Sequence, residues 1–107
     1  QSVIANRFLF VSGQIPLDPT NGELITGSIS AETLQVMKNL EAILLEANTD
    51  WEHVGKCSIF IRDMDDFGKI NEVYGKFFPV NPPARETVEV SRLPKDVNVE
   101  ISLVAAI

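Results

Sequence analysis

The run Arg7-Phe8-Leu9-Phe10-Val11-Ser12 is apolar on both parities, and few arrangements accept such a strand. Successive side chains leave opposite faces of a sheet, so Phe8 and Phe10 point one way and Leu9 and Val11 the other. Both faces then need cover. The stretch from His53 to Arg62 repeats the demand, with Cys57, Ile59 and Ile61 on one parity and Phe60 on the other. Helical periodicity appears in only two segments. The first is capped by Ser30, carries Glu32 near its positive end, and repeats Val36, Leu40, Ile43 and Ala47 beside Met37 and Leu44. Asn48 reads as its terminator. The second starts at Asp65 or Asp66 and has the stripe Phe67, Ile70, Tyr74 and Phe77, at three-four-three spacing. The predicted order is strand, loop, helix, strand, helix, strand, strand. Two helices cover one face of such a sheet, and the economical cover for the other is a second copy of the chain in a closed symmetric oligomer.

Size and charge narrow the function. A chain of 107 residues is one domain, 1–107, with no internal repeat or linker. The formal net charge of -6, without any Lys/Arg run, makes nucleic acid a poor partner. No segment is long and apolar enough to span a bilayer, so no membrane role is expected. Cys57 is alone and forms no internal disulfide, which fits a reducing compartment; a cytoplasmic location is expected, an organellar form being equally compatible. With neither an initiator Met nor a signal-peptide pattern, a processed or truncated product is expected.

The first strand ends at Gly13, and a long loop follows to Gly27, with turns at Asp18-Pro19 and Asn21-Gly22. Near the other end, Pro82-Pro83 enforces an extended entry into Ala84-Arg85-Glu86-Thr87-Val88-Glu89-Val90, and a second strand runs from Val97. The two read as a charged hairpin. Val88 and Val90 share a parity with Glu86, and Val97, Val99, Ile101 and Leu103 share another; if these apolar parities meet the core, Arg85 and Glu100 lie together on the opposite side. Two readings stay open. The pair is a solvated surface feature, or Arg85 offers its planar fork to a carboxylate ligand with Glu100 nearby to handle a proton or a water.

Other candidates carry less. The single histidine, His53, stands at a strand edge with no Ser or Cys at triad spacing, and Cys57 reads as a small buried filler. Asp63-Met64-Asp65-Asp66-Phe67-Gly68 has Phe67 and Tyr74 where a calcium loop needs oxygen ligands. One His and one Cys do not make a zinc site, and no glycine-rich phosphate cradle is present, so no metal or cofactor is expected.

Three separated segments, Phe10-Val11-Ser12-Gly13-Gln14-Ile15-Pro16, Asp63 to Phe67 with Asn71-Glu72-Val73-Tyr74, and Pro83-Ala84-Arg85 running to Val99-Glu100-Ile101, resemble the RidA (YjgF-like) family in order and spacing over essentially the whole chain. The resemblance implies an α+β fold of the chorismate-mutase-like type, a single mixed sheet with two helices on one face and the other face at the interface of a homotrimer, with a small-molecule site in each inter-subunit cleft. It also implies hydrolytic deamination of reactive enamines and imines (2-aminoacrylate, 2-iminopropanoate, 2-iminobutanoate) to 2-keto acids and ammonia. Carried over residue by residue, the carboxylate-binding arginine is Arg85 and the water-positioning glutamate Glu100, with Gly13, Thr87 and Asn71 lining the pocket. Glu86 departs from the small residue usual after the arginine, and parity is expected to turn it away. A Pro-Tyr pair usual shortly before the position of Gln1, whose tyrosine lines the pocket, lies outside this sequence. The alternatives are a 2-keto-acid sensor that binds without turnover and, less favoured by the charge, the ribonuclease or translation-inhibitor activity attributed to some relatives.

Overall fold

The computed structural model describes residues 1–107. Its strands are β1 (Ser2–Ala5), β2 (Phe8–Gln14), β3 (Val54–Ile61), β4 (Ala84–Glu89) and β5 (Val99–Ala106), joined in one sheet of spatial order β1-β2-β5-β3-β4. Neighbours are antiparallel except β3 and β4. Helices α1 (Ile29–Glu46) and α2 (Phe67–Gly75) pack side by side on one face. Between helices and sheet lies the core, with Val36, Met37, Leu40 and Leu44 of α1 and Ile70 and Tyr74 of α2 set against Leu9, Val11, Cys57, Ile59, Ile61, Val99, Ile101 and Leu103.

Both helices follow the apolar stripes read from the sequence; α2 starts after Asp66 as expected, whereas the start of α1 differs. Ser28, not Ser30, is the cap of α1: its backbone is extended, and its hydroxyl accepts from the Ala31 N–H at 3.1 Å. Ile29 already packs on the core, so the first turn and its cap fall two residues earlier. Asn48 ends this segment in the left-handed region at φ 59°. Before α2, a short 3-10 turn at Met64–Asp66 is capped by the Asp63 carboxylate, which accepts from the Asp65 N–H at 2.9 Å.

Two strand-level expectations change. β1 is an additional strand, folded back on β2 through the two-residue turn Asn6-Arg7, whose φ angles of 51° and 67° match the twist of a tight hairpin. The Arg85–Glu100 hairpin does not exist. β3 lies between β4 and β5, so β4 runs parallel to β3 as an edge strand and β5 is central. The composition of each strand explains the order, since β5 buries Val99, Ile101, Leu103 and Ala105 whereas β4 is charged and suits an edge.

The face away from the helices bears out the need for further cover. Val3 (64% exposed), Phe8 (48%), Phe10 (47%) and Val88 (43%) stand on it, beside Phe60 and Val104. This is the second parity of the strands that read as apolar on both sides.

Candidate active site

Arg85 sits on the edge strand in register with Cys57, which faces the core, so Arg85 and Thr87 point to the helix side. The polar parity of β4, not Val88 and Val90, is the one turned to the helices. A long amphipathic side chain makes that possible: the stem and the flat guanidinium cover aromatic surface while the charge stays at the edge. The guanidinium carbon is 5.4 Å from the ring centroid of Phe67 and 5.3 Å from that of Tyr74. Nη1 donates to Asn71 Oδ1. A cavity of about 440 Å³ opens here between α2 and the Pro82-Pro83 segment, walled by Asn71, Tyr74, Phe78 and Arg85.

On the helix side of β4, two polar groups near Arg85 are unsatisfied. Tyr74 Oη and Thr87 Oγ1 are both buried with no hydrogen-bond partner in the chain. Such orphaned groups are rare in cores and concentrate where a ligand or water is received. Tyr74 and the fully buried Cys57 approach each other without completing a hydrogen bond. Burial pushes the Cys57 thiol up to about 11, with the Tyr74 hydroxyl and the Arg85 charge opposing the rise, and burial raises the Tyr74 phenol as well. The thiol is therefore protonated at neutral pH and is no nucleophile.

Glu100 occupies the other face. It pairs with Phe60 across the β3–β5 ladder, on the parity of Ser102 and Val104, and is half-buried there. Gly13, at the irregular end of the β2–β5 pairing, packs directly against it: a β-carbon on Gly13 would stand 2.7 Å from Glu100 Cδ, so a side chain at this position would displace the carboxylate. Glu100 forms no ion pair within the chain. Neither does Arg85.

The five residues singled out by sequence thus fall into two groups: Arg85, Asn71 and Thr87 on the helix side of the sheet edge, Gly13 and Glu100 on the open face. The expectation that Arg85 and Glu100 share one side is overturned, because the register with β3 fixes β4 parity opposite to the one its valines imply. Glu86 does turn away from Arg85, and its carboxylate meets Lys56 Nζ at 3.0 Å on the open face. His53 lies in the surface turn before β3, its Nδ1 2.7 Å from Asp50 Oδ1 and far in role from any nucleophile. Phe67 and Tyr74 read as part of an apolar helix stripe and were not singled out as site residues; the signal that could have marked them is their spacing to Asn71, which puts all three on one helix face.

Comparison with known proteins places this arrangement. The sequence model of the family described as Endoribonuclease L-PSP matches residues 1–107. The chain belongs to the RidA/YjgF family. Among curated RidA/YjgF relatives, a RutC family protein of Pyrococcus horikoshii is 49% identical over 98% of this chain and 83% of its own length. The 2-iminobutanoate/2-iminopropanoate deaminase of Rattus norvegicus is 41% identical over 98% of this chain and 77% of its own. The crystal structure of Escherichia coli TdcF with bound serine superposes with a TM-score of 0.94 at 37% identity, covering 100% of this chain and 86% of that one. The mixed sheet with two helices on one face is the RidA/YjgF fold.

Proposed function

We propose that this protein hydrolyses 2-imino acids and their enamine tautomers, 2-aminoacrylate, 2-iminopropanoate and 2-iminobutanoate among them, to 2-keto acids and ammonia at sites shared between the subunits of a homotrimer. One observation carries the reading: a guanidinium without a counter-ion and a carboxylate without a counter-ion stand on opposite faces of the same sheet. No single chain brings them together. A second copy covering the exposed Phe8, Phe10 and Val88 face brings its own β4 edge toward Glu100, so covering the apolar face and assembling the site become one event. The family's named deaminase relative, and a relative binding the small amino acid serine, support a carboxylate-bearing small molecule as the ligand.

The chemistry asks little of the protein beyond placement. An enamine protonated at its β-carbon becomes the protonated imine, whose carbon is already electrophilic. Arg85 binds the substrate carboxylate with two parallel N–H donors, which fixes the plane of the imine. Glu100 of a second copy holds a water over that carbon and takes its proton as the C–O bond forms. The resulting carbinolamine receives that proton on nitrogen, the C–N bond breaks as its hydroxyl proton passes to the freed Glu100 carboxylate, and ammonia leaves as the keto carbonyl forms. Gly13 keeps the Glu100 carboxylate close to the β2 backbone, and the Thr87 hydroxyl and Asn71 amide line the carboxylate side. Water is the nucleophile, and no cofactor takes part. An acidic surface and a His53 tied to a surface turn favour this reading over RNA cleavage.

The test is pyruvate release from 2-aminoacrylate generated in situ by a serine or threonine dehydratase, with and without the protein. Acceleration is expected, and Arg85→Ala should remove it, a loss of at least about 10²-fold, while the oligomer stays intact. An active Arg85→Ala trimer rejects the assignment. Binding of a 2-keto acid without turnover by the wild type identifies a sensor instead.

A further inference from the structure

Phe67, Asn71 and Tyr74 recur at i, i+4 and i+7 and stand on one face of α2, across from Arg85. Read as a stripe, the two aromatics are core residues, yet Tyr74 is only 4% exposed whereas Phe67 is half-buried. What the rings share is the guanidinium, 5.4 Å from one centroid and 5.3 Å from the other, with Asn71 Oδ1 accepting from Nη1. β4 is an edge strand, with no strand beyond it to restrain a long side chain. An arginine in such a place ordinarily samples many rotamers, and ordering it when a ligand arrives costs affinity.

We infer that Phe67 and Tyr74 are positioning residues that, with Asn71, hold the Arg85 fork in one orientation, so that a carboxylate meets a guanidinium already aimed. The inference rests on the carboxylate-binding role proposed above for Arg85. Aromatic faces suit the task in a way that an acidic partner does not. A carboxylate would fix the arginine by occupying the same paired N–H donors the ligand needs, and would cancel its charge. Ring faces attract the cation and leave those donors unused. The chain follows that logic: no carboxylate pairs with Arg85, and a single amide oxygen takes one N–H. Each ring contact is worth about two- to five-fold in affinity.

The test compares Phe67→Leu with its conservative counterpart Phe67→Tyr, and adds Tyr74→Phe to separate ring from hydroxyl. Three quantities are read: KM for the imino acid, Kd for 2-ketobutyrate, and the side-chain order of the Arg85 Nε–H by NMR, with the exposed Arg7, whose side chain has no ion pair, as reference. Phe67→Leu should raise KM and Kd by about two- to five-fold with kcat nearly unchanged. Its Arg85 Nε–H should become as mobile as that of Arg7, while in Phe67→Tyr and Tyr74→Phe, which keep both rings, the order of Arg85 stays close to wild type. A merely structural role would lower Tm and leave KM alone. Unchanged KM and Kd with an undisturbed Arg85 signal overturns the inference, and so does a wild-type Arg85 as mobile as Arg7. If the wild type neither turns over imino acids nor binds the keto acid, the functional reading fails, and the order of Arg85 in wild type and Phe67→Leu still decides whether the rings hold it.

Discussion

At the scale of single residues, burial sets the chemistry of the groups behind Arg85. Cys57 is completely enclosed, and its thiol is raised from 9.0 to about 11. The folded protein therefore keeps a proton that the unfolded chain releases as pH climbs. The corresponding stability is intact below pH 9 and is lost between pH 9 and 11, up to about 2–3 kcal/mol in all. Tyr74, raised by burial above its ordinary 10.0, steepens the loss at the upper end of that window. Urea titrations from pH 7 to 11 check this: the wild-type unfolding free energy should fall more steeply between pH 9 and 10 than that of Cys57→Ala, and parallel curves would show that the thiol is not the group concerned. Gly13 belongs to the same scale. Its value is the missing β-carbon, because only that gap lets the Glu100 carboxylate lie against the end of β2.

At the scale of elements, the two edge strands show what local pattern conceals. The Asn6-Arg7 turn places both residues at positive φ, a conformation that Asn tolerates and Arg does not favour. Arg7→Gly creates the Asn-Gly pair preferred in such turns and should stabilise the protein by about 1 kcal/mol, read as a higher urea midpoint at unchanged m-value. The Arg7 carbonyl still accepts from the Ile107 N–H in that variant, so a drop in stability would mean that the side chain matters to the turn. The absence of a glycine is also why β1 escapes a reading of the sequence: Asn-Arg carries no strong hairpin signal. β4 escapes differently. Its residues, and those of β5, were legible as strands, but alternation assigns two parities without saying which one meets the core. The apolar pair Val88 and Val90 points to one answer, and the parallel register with β3 imposes the other.

At the scale of the whole molecule, a site divided between two faces makes subunit mixing informative. In the homotrimer proposed above, Arg85→Ala and Glu100→Gln should each be inactive. When they are unfolded and reassembled together in equal amounts, each mixed trimer contains one interface with both native groups, so about a quarter of wild-type activity should return. Return of none, with mixed trimers verified, would place both groups in one subunit's site. Read locally, the chain already showed the strands that need cover on both sides, the two amphipathic helices, and Arg85 and Glu100 as candidates, because periodicity and residue chemistry are local properties; Gly13, Asn71 and Thr87 came only through the family resemblance. Which strands are neighbours, which parity of β4 meets the helices, and hence that Arg85 and Glu100 face opposite ways, only the tertiary structure decided. Pairing and register depend on residues far apart in the chain, and alternation with period two is unchanged when a strand is turned over.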